Sequence, residues 1–166
     1  MEKSRLIQIL RTFSRKENRD LRKWLQSPSH NQREDVQLLF EYLIENDDPK
    51  QENALPREEV YQKIYPGTGY DDAQMRQVMH FLLKSVEEFL VYQEWIEDPV
   101  KARIILAKVY RRRQLGRLFQ RTLESARELQ EKQPLRGLNY LENVYLLEQE
   151  EYNYLSGLRR TVPLNL

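Results

Sequence analysis

Between Val100 and Lys132 the apolar residues return at every third or fourth position, and that spacing constrains the fold more than any other feature of the chain. Leu115, Leu118, Phe119, Thr122, Leu123, Ala126 and Leu129 line one side of a helix. The segment before it, from about 100 to 113, has the same helical period, so the two segments are predicted to pack as a hairpin. Valine and isoleucine are sparse and never alternate with polar residues over a long run, which argues against strands. Only five Gly and seven Pro interrupt a chain of 166 residues, and Leu, Glu, Arg and Gln favour helix elsewhere. The expectation is an all-α fold: a bundle of orthogonal helices followed by a repeat-like stacked hairpin, with little or no β structure.

The same periodicity predicts helices over about 4–12, 15–26, 32–46, 56–65 and 72–96 in a unit spanning 1–98, and over about 100–113, 115–132 and 138–158 in a unit spanning 99–166. Ser14 and Glu17 form the Ser-x-x-Glu pattern of a capping box. Pro28 ends the second helix, because the residue before a proline is pushed out of helical geometry. Residues 47–53 are polar and read as a loop. Pro66-Gly67-Thr68-Gly69 reads as a turn, and Asp71 or Asp72 as the cap of the long helix that follows.

Several of these residues also carry a resemblance. Phe13-Ser14, Lys16-Glu17, Leu25, Ser27-Pro28, Asn31, Val36, Leu39 and Tyr42-Leu43 make a first match. Val60, Ile64-Tyr65-Pro66-Gly67, Tyr70-Asp71-Asp72, Met75-Arg76, Leu82-Leu83-Lys84 and Glu88-Phe89-Leu90 make a second. Together they resemble the start of a family of uncharacterised, mostly helical bacterial proteins, over roughly the first ninety residues. The resemblance implies an all-helical fold, supplies no function, and suggests the N-terminal part of a longer protein. His80 departs from the pattern, which has a small polar residue there. From about Lys101 the chain is similar to a tetratricopeptide hairpin, on Leu106-Ala107, Tyr110, Leu123 and Ala126. Phe119 stands where that repeat has a small residue, and no second copy follows.

A net charge of +1 conceals three blocks: +6 over residues 1–33, −11 over 34–100 and +6 over 101–166. Either the basic ends fold against the acidic middle, or a basic face stays free for an acidic partner. No arrangement of residues points to catalysis. The two histidines, His30 and His80, have no second ligand at metal spacing; His30 reads as a surface or capping residue, His80 as a partly buried one. Adjacent acidic pairs such as Glu58-Glu59 diverge around a helix instead of facing each other across a cleft. The Pro66–Gly69 turn lacks the lysine and the preceding strand of a phosphate loop. The expectation is therefore no enzyme, no cofactor and no metal.

What remains is surface. Arg111, Arg112 and Arg113 cluster at a helix end with Arg117 close by. The last helix carries Tyr145, Tyr152 and Tyr154 among further leucines, more apolar area than one two-helix contact needs. These seven residues are the candidate partner-binding set, the partner being another protein or further helices of the full-length chain. The alternative is nucleic-acid binding by a helix-turn-helix-like segment over 36–95, winged if Val91–Trp95 returns as a strand; the −11 charge of 34–100 argues against it. The chain has no cysteine, no apolar leader and no membrane-spanning run, which predicts a cytoplasmic protein with no membrane partner.

Overall fold

A computed structural model of the protein describes residues 4–46 and 55–161, with the side chains of 159–161 excepted. The expected loop at 47–53 and the chain beyond 161 lie outside the described residues. Eight helices and no strand are present among them: α1 Arg5–Leu10, α2 Arg15–Gln26, α3 Glu34–Asn46, α4 Arg57–Ile64, α5 Asp72–Glu97, α6 Pro99–Arg112, α7 Gly116–Glu131 and α8 Leu138–Thr161. The fold is all-α. Val91–Trp95 continues α5 as helix, so no wing forms there.

The chain divides into two compact units, Met1–Val91 and Tyr92–Leu166. The joint falls within α5, not at 98/99. The sequence of α5 changes character there: Met75, Val78, Leu82, Val86 and Phe89 are buried, whereas Val91, Tyr92, Trp95 and Ile96 are exposed.

The first unit is built on one apolar core. Leu21 and Leu25 of α2, Val36, Leu39, Phe40 and Leu43 of α3, Val60 and Ile64 of α4 and the α5 stripe meet in it. Local chemistry sets the helix starts. Ser14 Oγ accepts from Glu17 N–H at 3.2 Å while Ser14 N–H donates to the Glu17 carboxylate at 2.7 Å, completing the capping box. Asp71 is the residue that caps α5, its Oδ1 accepting from the amides of Ala73 and Gln74. Asn31 clamps the turn after Pro28: its Nδ2 donates to the carbonyls of Leu25 and Arg33, each at 2.9 Å.

The basic N-terminal block does fold against the acidic middle within this unit. Arg5 reaches Glu87 at 2.7 Å, Arg22 grips both oxygens of Glu41, and Arg33 pairs with Asp35. His30 is exposed and stacks on Trp24 with ring centroids 3.5 Å apart. His80 is exposed, not partly buried; Met79 takes the half-buried position beside it, and one residue further is 100° round the helix.

The second unit consists of the end of α5, α6, α7 and α8. Asp98 starts α6, its Oδ1 accepting from the amides of Val100 and Lys101, with Pro99 in the first turn, where a missing N–H is harmless. The α6–α7 turn is made by Gln114 at φ 59°, with Leu115 N–H closing back on the Tyr110 carbonyl. The core is small: Val100, Ile104 and Ala107 of α6, Phe119, Leu123 and Ala126 of α7, and Leu147 of α8.

Candidate partner-binding surface

Side-chain contacts fix the order of the helices in the second unit. Lys101 meets Glu142 at 3.0 Å and Arg111 meets Glu150 at 2.8 Å, so α6 and α8 run parallel. Gln130 donates to the Tyr140 carbonyl, Arg127 pairs with Glu148 and Glu151, and Phe119 stacks on Tyr154, so α7 runs antiparallel to α8. Glu142 and Glu150 of α8 are thus tied to α6, and Glu151 and the more exposed Glu148 share Arg127 of α7. The hydrogen bond to Glu151 and the charge of that carboxylate, with a smaller contribution from Glu148, raise the Arg127 pKa above its ordinary value despite desolvation.

The seam on α8 is half polar. Asn143 is fully buried and donates from Nδ2 to Asp98 Oδ2 at 3.0 Å, while its Oδ1 has no partner. Burial alone would raise the Asp98 pKa. The bond from Asn143 and the two helix-capping amides outweigh that and hold it below its ordinary value. Glu150 is 5% exposed and depends on Arg111 for its neutralisation. This polar layer was not visible in the sequence. The only signal for it is that Asn143, Leu147, Glu150 and Tyr154 share one side of the helix.

That geometry sorts the seven candidate residues. Arg111 is spent on Glu150 and is not free for a partner. Tyr154 is packed inward against Phe119, with ring centroids 4.4 Å apart. Its hydroxyl lies 2.7 Å from where a Cβ on Gly116 would stand, which is why the first position of α7 has no side chain. Arg112, Arg113 and Arg117 are exposed and make no ion pair among the described residues. Arg112 and Arg113 sit at the carboxyl end of α6, where positive charge complements the helix dipole, and Arg117 is in the first turn of α7 across the turn. Tyr145 is 63% and Tyr152 71% exposed.

Around the two tyrosines lies the largest feature that sequence reasoning only half caught. Leu138, Leu141, Val144 and Leu155 of α8 are exposed as well. At 100° per residue, Leu141, Tyr145, Tyr152 and Leu155 fall roughly opposite the buried side of α8. On α7, Leu115 and Leu118 of the expected stripe remain exposed because only Phe119, Leu123 and Ala126 reach the core. A groove of about 670 Å3 runs between α6 and α8, with Trp95, Ile104 and Leu146 among its apolar lining and Glu94, Glu97 and Lys108 among its charged lining. No cluster of three or more metal-ligating side chains occurs among the described residues, and none of their helices is long and apolar enough to cross a membrane.

No family model, curated protein or solved structure matches the chain.

Proposed function

We propose that this protein is a non-catalytic helical scaffold whose second unit binds another protein through the outer side of α8, assisted by Arg112, Arg113 and Arg117. The observation that carries this reading is the division of labour on α8: Glu142, Glu150 and Glu151 are bound by Lys101, Arg111 and Arg127, while Leu138, Leu141, Tyr145, Tyr152 and Leu155 face outward. A soluble monomer gains nothing from that arrangement, since contiguous exposed apolar area costs solubility and is retained where a partner covers it. Tyrosine is also a residue type that dominates binding energy at interfaces. The parallel α6–α8 pair with α7 antiparallel between them suits a tetratricopeptide-like stack in which each layer covers the last. The compartment we propose is the cytoplasm, which a chain without cysteine suits.

The test is partner recovery from a cell lysate by the intact chain and by two variants, Arg112→Glu with Arg113→Glu, and Tyr145→Ala with Tyr152→Ala. Both are expected to weaken recovery of the same proteins while leaving the unfolding midpoint in place. Recovery unchanged in both variants contradicts the reading.

A further inference from the structure

The outer side of α8 has a regular spacing that points to one particular occupant. Leu138, Leu141, Tyr145, Glu148, Tyr152 and Leu155 follow one another at alternating steps of three and four residues, the 3.5-residue period of a helix–helix seam. The seam is outward: Leu138 is 83%, Leu141 62% and Leu155 49% exposed. Asn143 and Glu150, on the opposite side, are buried.

Resting on the reading of this side as a binding surface, we propose that its partner is α8 of a second copy of the chain, in an antiparallel pair whose two-fold axis passes midway between Tyr145 and Glu148. In that register the seam is complementary to itself, as a two-fold interface requires. Leu138 meets Leu155 of the other copy, Leu141 meets Tyr152, and Tyr145 meets Glu148. Every apolar residue other than Tyr145 faces an apolar one. The single charged residue faces the Tyr145 phenol, whose hydroxyl already accepts from Gln149 Nε2 at 3.4 Å and keeps its own proton to donate to a carboxylate. Glu148 also brings its counter-charge with it, Arg127 standing 3.2 Å away. A polar residue at one seam position is a known means of fixing register.

Charge opposes the same occupant only weakly. The residues flanking the seam on α8 include Glu142 and Glu151, which pair with the same chain's Lys101 and Arg127. Because Arg127 serves both Glu148 and Glu151, each seam keeps a surplus of one negative charge, so the pairing rests on its apolar contacts and tightens as salt screens that charge. The exposed seam side chains offer on the order of 600 Å2 per copy, against about 800 Å2 per partner in a standard interface. That area suits a reversible dimer.

Sedimentation velocity of the full chain up to about 100 μM tests the proposal, with circular dichroism confirming that each variant is folded. The wild type is expected to show a concentration-dependent monomer–dimer equilibrium. Leu141→Lys alone weakens it roughly tenfold or more. Leu141→Lys combined with Tyr152→Glu in the same chain restores it, because an antiparallel pair places each lysine against a glutamate, whereas a parallel pair sets like charges face to face. A wild type that stays monomeric, or a double variant that remains as weak as the single one, overturns the inference. The scaffold reading fails separately. If the chain is monomeric but recovery of another protein still depends on Tyr145 and Tyr152, self-pairing is wrong and the binding surface stands.

Discussion

The two units handle their apolar residues differently. Among the described residues, eighteen buried apolar side chains form the core of the first unit and seven that of the second, although the units are of similar length. In the first, Arg5–Glu87 and Arg22–Glu41 are solvent-exposed or half-exposed pairs around a largely apolar centre. In the second, Asn143, Gln130 and Glu150 occupy the seam, while Leu138, Leu141, Tyr145, Tyr152 and Leu155 lie outside. Burial of apolar area is the main favourable term in folding. The second unit leaves much of that area uncovered on the outer side of α8.

The largest effect that sharpens this contrast is a core truncation in the first unit. Phe40→Ala should cost about 3–5 kcal/mol, because the side chain is 1% exposed and its removal leaves a cavity. Urea unfolding of the full chain measures it; a loss below about 1 kcal/mol would contradict a tightly filled first core.

Next comes the polar layer. Glu150→Ala should cost about 2–3 kcal/mol, since it strands the Arg111 guanidinium in a half-buried site. Removing Arg22 from its more exposed pair with Glu41 should cost about 1 kcal/mol or less. Equal effects in the two variants would erase the distinction between a polar seam and a polar rim.

Each unit has a group whose titration is tied to folding. In the first, burial and then the 2.5 Å bond to Asp35 push the Tyr65 hydroxyl up to about 12. Folding therefore favours the protonated phenol. Its contribution is complete below the ordinary tyrosine pKa and is lost as pH rises from about 10 to 12. Tyr65→Phe should flatten that alkaline loss in a series of unfolding midpoints. In the second unit the Asp98 pKa is lowered. Its contribution is present above the ordinary carboxylate range and is lost as pH falls through the depressed value. Asp98→Asn should remove that acid-side loss, and an unchanged acid limb contradicts the assignment.

Smallest of all is the effect of the outer face on folding. Tyr145→Ala with Tyr152→Ala should alter stability by no more than about 0.5 kcal/mol at concentrations where the chain is monomeric. A larger loss would show that the two tyrosines belong to the core.

Much of this organisation was legible beforehand. Each expected helix is present, and the Ser14–Glu17 box and the apolar stripe of α5 lie where periodicity put them, because both depend on neighbours three or four residues away. Tertiary partners were less legible. Nothing local distinguishes Arg111, which reaches Glu150 on another helix, from Arg112 beside it. Nothing in the spacing of tyrosines along α8 says that Tyr154 turns inward on Phe119 while Tyr152 turns out. The buried Asn143 was missed because its partner, Asp98, is far away in sequence and is also occupied as a helix cap. Tyr61 was missed for a similar reason: it is buried because its hydroxyl finds Gln74 at 2.6 Å.

The most direct measurement is site-specific photo-crosslinking of the full chain in cells, with a photoreactive phenylalanine in place of Tyr152 on the outer side of α8 and, separately, in place of the exposed Glu128 on α7. A partner-covered α8 predicts a discrete higher-mass product from position 152 and little or none from position 128. Equal products from both positions, or none from 152, would contradict it.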